Sequence, residues 1–431
     1  MSLNWRPAPS IPCSLPTSDP FTNSLYEFIK FLEANNPITR LNLHVVGGHL
    51  TIGVGFDLFA GGVAARRAVF SRLGLDYDYP ENHTNAQPGS PEAIESAYIT
   101  SLRAAVQGNN AAAVNNIMLN RYNDSRLDSL IPQSQRRRSF SFANDNEVKA
   151  VFDDLWPNVY RNNIYDKWPS LRNDATFKTS SEMMALASMT WNGGTGILGP
   201  KLKAAIDSGN RAEAWFEIRY NSNGGSDLDV RRGLAKRRYL ESQMFGLYDD
   251  PATVGPTEAQ QIYKMLQNHR WEIVNYEKNY GVPVDGTNAL QGNRIATAIS
   301  DYSGLLPYVQ SNTILTIEQS LNPAKTAIFT YLNGRDDLPG LLKDKLTENN
   351  VASTNIYLNP HKPTDTNQFS VLDSFLYETG VYANGANDLM IGMDQEDVMY
   401  GHKGNDVLIG EGGNDILFGD EGNDAKRGRW F

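Results

Sequence analysis

The stretch Gly401-His402-Lys403-Gly404-Asn405-Asp406-Val407-Leu408-Ile409 is followed without a break by GEGGNDILF (410–418) and GDEGNDAKR (419–427). One nine-residue pattern therefore recurs. Asp388, Asp397, Asp406, Asp415 and Asp424 keep the period of nine, and so do Gly392, Gly401, Gly410, Gly419 and Gly428. A fixed period means one small unit stacked on itself. Glycine lets each turn adopt positive φ and bring carbonyl oxygens inward. The Asp adds a carboxylate to the same turn. Two positions later Met390, Met399, Leu408 and Leu417 supply one large apolar residue per unit, pointing between two short strands. Carboxylates and carbonyls together suit calcium, which takes about six to eight oxygens. Residues 384–431 hold ten Asp and Glu against four Lys and Arg, so the segment should repel itself and fold only with the metal.

This pattern resembles the G-G-x-G-x-D-x-U-x repeat of secreted RTX proteins, where U is a large apolar residue. The resemblance implies a parallel β-roll with structural Ca2+ between neighbouring turns. Asp388, Asp397, Asp406, Asp415 and Asp424 would be its metal ligands. Two units depart from the pattern: Asp394-Gln395-Glu396 stands where glycines are expected, and Lys426 holds the apolar position, so the roll is expected to stop there.

The length of 431 residues suggests two or three domains, and 40% hydrophobic residues allow each a core. No apolar run reaches the roughly 18 residues of a membrane-spanning helix. A single cysteine, Cys13, excludes an intrachain disulfide framework and a cysteine-based zinc site. The net charge of −10 argues against a nucleic-acid partner. Residues 1–21 carry Pro7, Pro9, Pro12, Pro16 and Pro20, which favours an irregular arm. They lack the basic start and apolar stretch of a cleaved signal peptide.

In the N-terminal half, Ser24-Leu25-Tyr26-Glu27 fits a capping box, and Leu25, Phe28, Ile29 and Leu32 follow at helical spacing. Ala34-Asn35-Asn36-Pro37 should stop this helix near Glu33. Glu33 then sits at the negative end of a helix dipole, which favours the protonated form that a general acid needs. His49 to Leu58 reads as a hairpin strand. Its Gly53 and Gly55 alternate, which suggests close approach by another chain or a ligand.

A helix ending in Glu before Thr51-Ile52-Gly53-Val54-Gly55 resembles phage-type lysozymes, glycoside hydrolase family 24. Residues 185–196, with Trp191-Asn192-Gly193-Gly194, resemble that family's core helix and the glycine turn beside its cleft. Gly233-Leu234-Ala235-Lys236-Arg237-Arg238, with Glu241 and Phe245, resembles a further family helix. The resemblance covers about residues 22–248, with an insertion around 78–142. It implies Glu33 as catalytic acid, Thr51 beside the attacking water, and Asn192, Gly193 and Gly194 as substrate-binding residues. Phage lysozymes carry an Asp six residues before the threonine, where this chain has Val45 with His44 beside it. Asp57 stands six residues after the threonine instead, as in the pesticin-like variant, and is the expected second carboxylate. His44 is the runner-up base.

The organisation expected is multi-domain and mainly α. Residues 1–21 form the arm, 22–248 an α+β lysozyme-like domain, 257–375 a mainly helical region whose role is not readable, and 384–431 the roll. Residues 249–256 read as a linker, and Arg136-Arg137-Arg138 as a solvated face. The function expected is a secreted muramidase that cleaves the β-1,4 bond between N-acetylmuramic acid and N-acetylglucosamine; the resemblance implies inversion, but the carboxyl separation that decides it is not written in the sequence. Peptidoglycan would be its partner, and a type I secretion apparatus its export route. The alternatives are a calcium-dependent wall-binding protein with an inactive lysozyme fold, and a phage lysin or injected antibacterial effector. Composition and spacing leave oligomeric state open.

Overall fold

The computed structural model describes residues 3–15, 18–33, 36–46, 48–59, 61–222, 228–281, 303–309, 315–348, 355–358, 370–373, 387–393 and 397–428. It is mainly helical, with its parallel strands towards the C-terminus. The chain divides into two compact units. One is Pro7–Leu198; the other joins Met1–Arg6 to Gly199–Phe431. The division falls inside the stretch 22–248.

The Pro7–Leu198 unit is built on the helix Ser181–Gly193, in which every residue from Ser181 to Trp191 is buried. A helix buried all round belongs in a core. Each fully buried Met, Leu or Phe there contributes about 1.5–3 kcal/mol. The Ser180 hydroxyl caps it by accepting the Met183 amide at 3.0 Å. The N-terminal arm is irregular but anchored: Pro7 bridges Ser180, and the Ala8 amide donates to Thr179.

The helix Pro20–Glu33 ends at Glu33, as its stop signal requires, but it starts earlier than the capping box places it. Asp19 holds the first turn, accepting the Thr22 amide at 3.1 Å and the Thr22 hydroxyl at 2.7 Å, with Pro20 as first residue. Proline there loses nothing, because a first-turn amide has no helical partner. Ser24 is therefore buried inside the helix and accepts the Ile11 amide. Glu27 turns to Lys30 instead of closing a box.

Three antiparallel strands follow in the order β1 (His44–Val46), β2 (His49–Ile52), β3 (Phe56–Asp57). Gly53 and Gly55 lie in the turn between β2 and β3, not within a strand. Their φ values of 72° and 85° break the pleat. The helix Asp145–Leu155 runs into one π turn, Trp156–Tyr160, and continues as Arg161–Lys167. Pro157 cannot donate to the helical ladder, and a widened turn accommodates its ring.

The arginine run is not a solvated face. Arg136 is buried, donating to the carbonyls of Arg121 and Asp124 and pairing with Asp128, while Arg137 pairs with Glu147. Carbonyls left over at the end of the helix Ala111–Asn123 draw the guanidinium inward.

In the second unit, the helices Arg211–Tyr220, Leu228–Phe245 and Pro256–Tyr280 surround buried ion pairs. Arg219 and the Tyr220 hydroxyl both donate to Glu277 at 2.9 Å, and Arg237 and Arg238 share Glu241. Residues 249–256 form a turn in which the Asp249 amide donates to Glu258. The helices Ile317–Asn333 and Gly340–Glu348 follow.

Among the described residues, seven parallel strands follow in this unit. They are β4 (Asn355–Leu358), β5 (Ser370–Asp373), β6 (Asp388–Met393), β7 (Asp397–Tyr400), β8 (Val407–Glu411), β9 (Ile416–Phe418) and β10 (Ala425–Arg427). They alternate between two sheets, ordered β10-β8-β6-β4 and β5-β7-β9. β4 and β5 precede the first regular repeat. Met390, Met399 and Leu408 are buried between the sheets with Leu417 against them, as the apolar positions predict. β10, which carries Lys426 at the apolar position, is the last described strand of the roll. β10 pairs with β8, placing Lys426 opposite Leu408, because backbone pairing needs no apolar side chain. Residues 394–396, where glycines were expected, lie outside the described residues.

His269 is clamped between two carboxylates, Nε2 at 2.9 Å from Glu213 and Nδ1 at 3.0 Å from Glu272, with Phe216 stacked on its ring. Burial opposes its charge, but the two acids outweigh it and raise its pKa above the ordinary value. The stabilisation is therefore complete below about pH 6.5 and lost as pH rises through the folded value. Thermal unfolding of the calcium-loaded chain should show this unit weakening by up to ~1 kcal/mol between pH 6 and 8. His269→Gln should abolish that slope; an unchanged slope would assign it to other groups.

Candidate functional site

Two groups of residues carry chemistry. In the roll, Asp388, Asp397 and Asp406 are fully buried. Each accepts or donates along the stack at a spacing of 18 residues: the Asp388 amide donates to Asp406 Oδ1 (2.9 Å), Asp397 to Asp415 (3.1 Å) and Asp406 to Asp424 (3.1 Å). A parallel ladder of asparagines runs beside it. The Asn405 amide donates to Asn387 at 2.8 Å and the Asn423 amide to Asn405 at 2.9 Å. Reading the repeat for aspartate alone misses this second ladder, although the recurring Asn-Asp pair was its signal.

The other aspartate oxygen faces a glycine. A Cβ on Gly392 would lie 2.3 Å from Asp397 Oδ2 and 2.5 Å from the Gly410 carbonyl oxygen. On Gly401, Gly410 and Gly419 it would lie 2.3, 2.0 and 2.2 Å from Oδ2 of Asp406, Asp415 and Asp424. Carboxylate and carbonyl oxygens thus converge where only glycine fits. Ionised carboxylates this deeply buried call for compensating charge. An all-oxygen donor set suits a hard cation such as calcium. Among the described residues no three His, Cys, Asp or Glu side chains gather around a metal position. The roll would supply its oxygens one carboxylate per turn, with backbone carbonyls completing the shell.

The turns also carry strain. His402, Glu411 and Asp420 have φ of 65°, 67° and 62°, at positions where the repeat ordinarily has its second glycine. The left-handed conformation costs each about 1–2 kcal/mol. Glu411 recovers part of this by pairing with Arg335, which also binds Asp337 at 2.6 Å. Arg427 of β10 meets the same Asp337 at 3.0 Å.

The second group lies in the Pro7–Leu198 unit. The register of β1, β2 and β3 sets His44 opposite Thr51, and Thr51 opposite Asp57, so the three share one face of the sheet. Thr51 is buried and Asp57 half-buried. Asp57 Oδ1 accepts the Phe59 amide and Oδ2 lies 2.8 Å from His49 Nδ1. His44 instead points its Nδ1 at the Asn42 carbonyl, 2.9 Å away. Glu33 reaches the same sheet: a Cβ on Gly55 would lie 3.2–3.3 Å from the Glu33 carboxyl, so that glycine allows the approach.

Tyr160, which sequence reasoning did not single out, completes the group. Burial, and then the charges of Asp57 and Glu33, push its pKa up to about 12. Its ring lies 4.2 Å from Trp191, whose Nε1 donates to the Val54 carbonyl at 2.7 Å, tying the core helix to the β2–β3 turn. No regular motif marks Tyr160; the only hint is Trp156-Pro157, which interrupts a helical pattern. Asn192, Gly193 and Gly194 follow Trp191 at the exposed end of that helix. A Cβ on Gly193 would meet Ile197 at 2.8 Å, and Gly194 has φ 66°, so local packing and turn geometry alone already require both glycines.

Residues 391–425 match the family model of the RTX calcium-binding nonapeptide repeat, in four copies. No curated protein and no solved structure matches the chain. The C-terminal segment thus carries RTX calcium-binding repeats. Asp397, Asp406, Asp415 and Asp424 fall within the match, and Asp388 just precedes it.

Calcium titration followed by circular dichroism should show cooperative gain of β structure. Gly410→Ala, which drives a methyl into Asp415, should raise the calcium midpoint roughly tenfold or more, the equivalent of ~1.4 kcal/mol per decade. Gly255→Ala, at an open site, should leave it unchanged. Hydrogen exchange in chelator should expose β6–β10 while the helix Ser181–Gly193 stays protected. Equal exposure of both would mean that the units do not fold separately.

Proposed function

We propose that the chain is a secreted muramidase with structural calcium in its roll. The observation that carries this reading is the Glu33 carboxyl seated on Gly55, beside a sheet face that aligns Thr51 with Asp57. A glycosidase needs one carboxyl to protonate the leaving oxygen and a second to activate water or attack. Glu33 takes the first role. Asp57, with Thr51 in the facing register position, orients water for attack on the opposite face of the sugar. Tyr160 supports both by filling the space near the two acids with a group that stays neutral at working pH. The substrate is the β-1,4 bond between N-acetylmuramic acid and N-acetylglucosamine, a choice that rests on the resemblance to phage-type lysozymes.

The calcium repeats fit export of an unfolded chain. With little calcium inside the cell, the acidic roll would repel itself; outside, bound metal would fold it. Type I secretion is the route this reading favours. The described helices include none long and apolar enough to cross a membrane.

Digestion of purified peptidoglycan followed by mass analysis tests the reaction. Ordinary reducing-end products are expected, whereas anhydro sugars would indicate a transglycosylase and no products a binding protein. Glu33→Gln should lower turnover by roughly a hundredfold or more without loss of fold. Asp57→Asn should be more damaging than His44→Ala, and the reverse order would move the second role to His44.

A further inference from the structure

We infer that His49 is a positioning residue for Asp57, fixing the direction of its carboxylate; this rests on the proposed hydrolase reading. His49 stands two residues before Thr51 on β2, so both side chains leave the same face of the strand as Asp57 on β3. Its Nδ1 lies 2.8 Å from Asp57 Oδ2. The Phe59 amide holds Asp57 Oδ1 at 2.8 Å from the other side, and the Phe59 ring lies 4.9 Å from the imidazole. The carboxylate is thus gripped at both oxygens by groups from two different directions. An ionised carboxylate only accepts hydrogen bonds, so Nδ1 must carry the proton. That leaves Nε2 outward when the ring is neutral.

The consequence is geometric. Asp57 is the last residue of the two-residue strand β3, and the His49 ring and the Phe59 amide each hold one of its carboxylate oxygens. Without His49 it can rotate away from Thr51, and a displaced base costs turnover more than binding. Asparagine at position 49 would place an amide nitrogen close to where Nδ1 lies and so replace the donor. Alanine would not.

The experiment uses the full chain with calcium. His49→Ala should lower kcat roughly tenfold to a hundredfold with KM little changed, and His49→Asn should restore much of the loss. Independently of activity, the nitrogen chemical shifts of His49 should report the Nδ1–H tautomer when the ring is neutral, and Asp57→Ala should remove that preference. Full activity of His49→Ala, failure of His49→Asn to restore turnover, or an Nε2–H tautomer in the unaltered chain would each overturn the inference. Absence of turnover in the unaltered chain would sink the hydrolase reading and, with it, the catalytic part of this one. The tautomer would still decide whether His49 holds Asp57.

Discussion

A carboxyl group packed close against a glycine is the constraint that recurs in the roll and beside the small sheet. Glu33 rests on Gly55, and Asp397, Asp406, Asp415 and Asp424 rest on Gly392, Gly401, Gly410 and Gly419. The carboxyl is brought close to backbone by removal of a single methyl-sized volume. In the roll, that lets carbonyl and carboxylate oxygens converge on a cation. In the N-terminal unit, it lets a helix-end acid reach the turn of a small sheet. The cost of each glycine is paid in chain entropy, which the surrounding packing must offset.

The two regions offset that cost differently. Around Gly55 the support is apolar: Trp191 is buried and touches Phe56, Phe152 and Tyr160, while its indole nitrogen holds the Val54 carbonyl. In the roll, Met390, Met399 and Leu408 lie buried between the sheets with Leu417 against them. Buried carboxylates and three left-handed non-glycine residues oppose folding there, and a bound cation would supply compensating charge. Arg335, Asp337 and Arg427 add a polar clasp from the preceding helical segment to the roll.

The match to RTX repeats places the calcium chemistry on a firm family footing, while the muramidase reading stands on side-chain geometry and on short motifs. These are different kinds of support. A nonapeptide repeat encodes its site locally, since every ligand lies within one or two turns of its neighbours in the chain. The proposed cleft would collect residues from positions 33, 51, 57 and 160, and no single stretch contains them.

That difference in locality separates what the sequence by itself determined from what the tertiary structure decided. The repeat register, the apolar ladder and the end of the first helix at Glu33 were legible, because each follows from spacing or from a stop signal within a few residues; the glycine turn after Trp191 was expected only through the family resemblance. The start of the first helix at Pro20, capped by Asp19, and the inward turn of Arg136 were not. The first is settled by Asp19 out-competing Ser24 as the cap, and the second by the Arg121 and Asp124 carbonyls and Asp128, which only the folded turn brings round to Arg136. Tyr160 and His49 were equally hidden. A π turn at Pro157 swings Tyr160 onto Trp191, and strand register brings His49 to Asp57. Residue type names what a side chain can do. Only the folded backbone decides which carboxylate it does it to, because distance and direction in space are set by packing between elements and not by order along the chain.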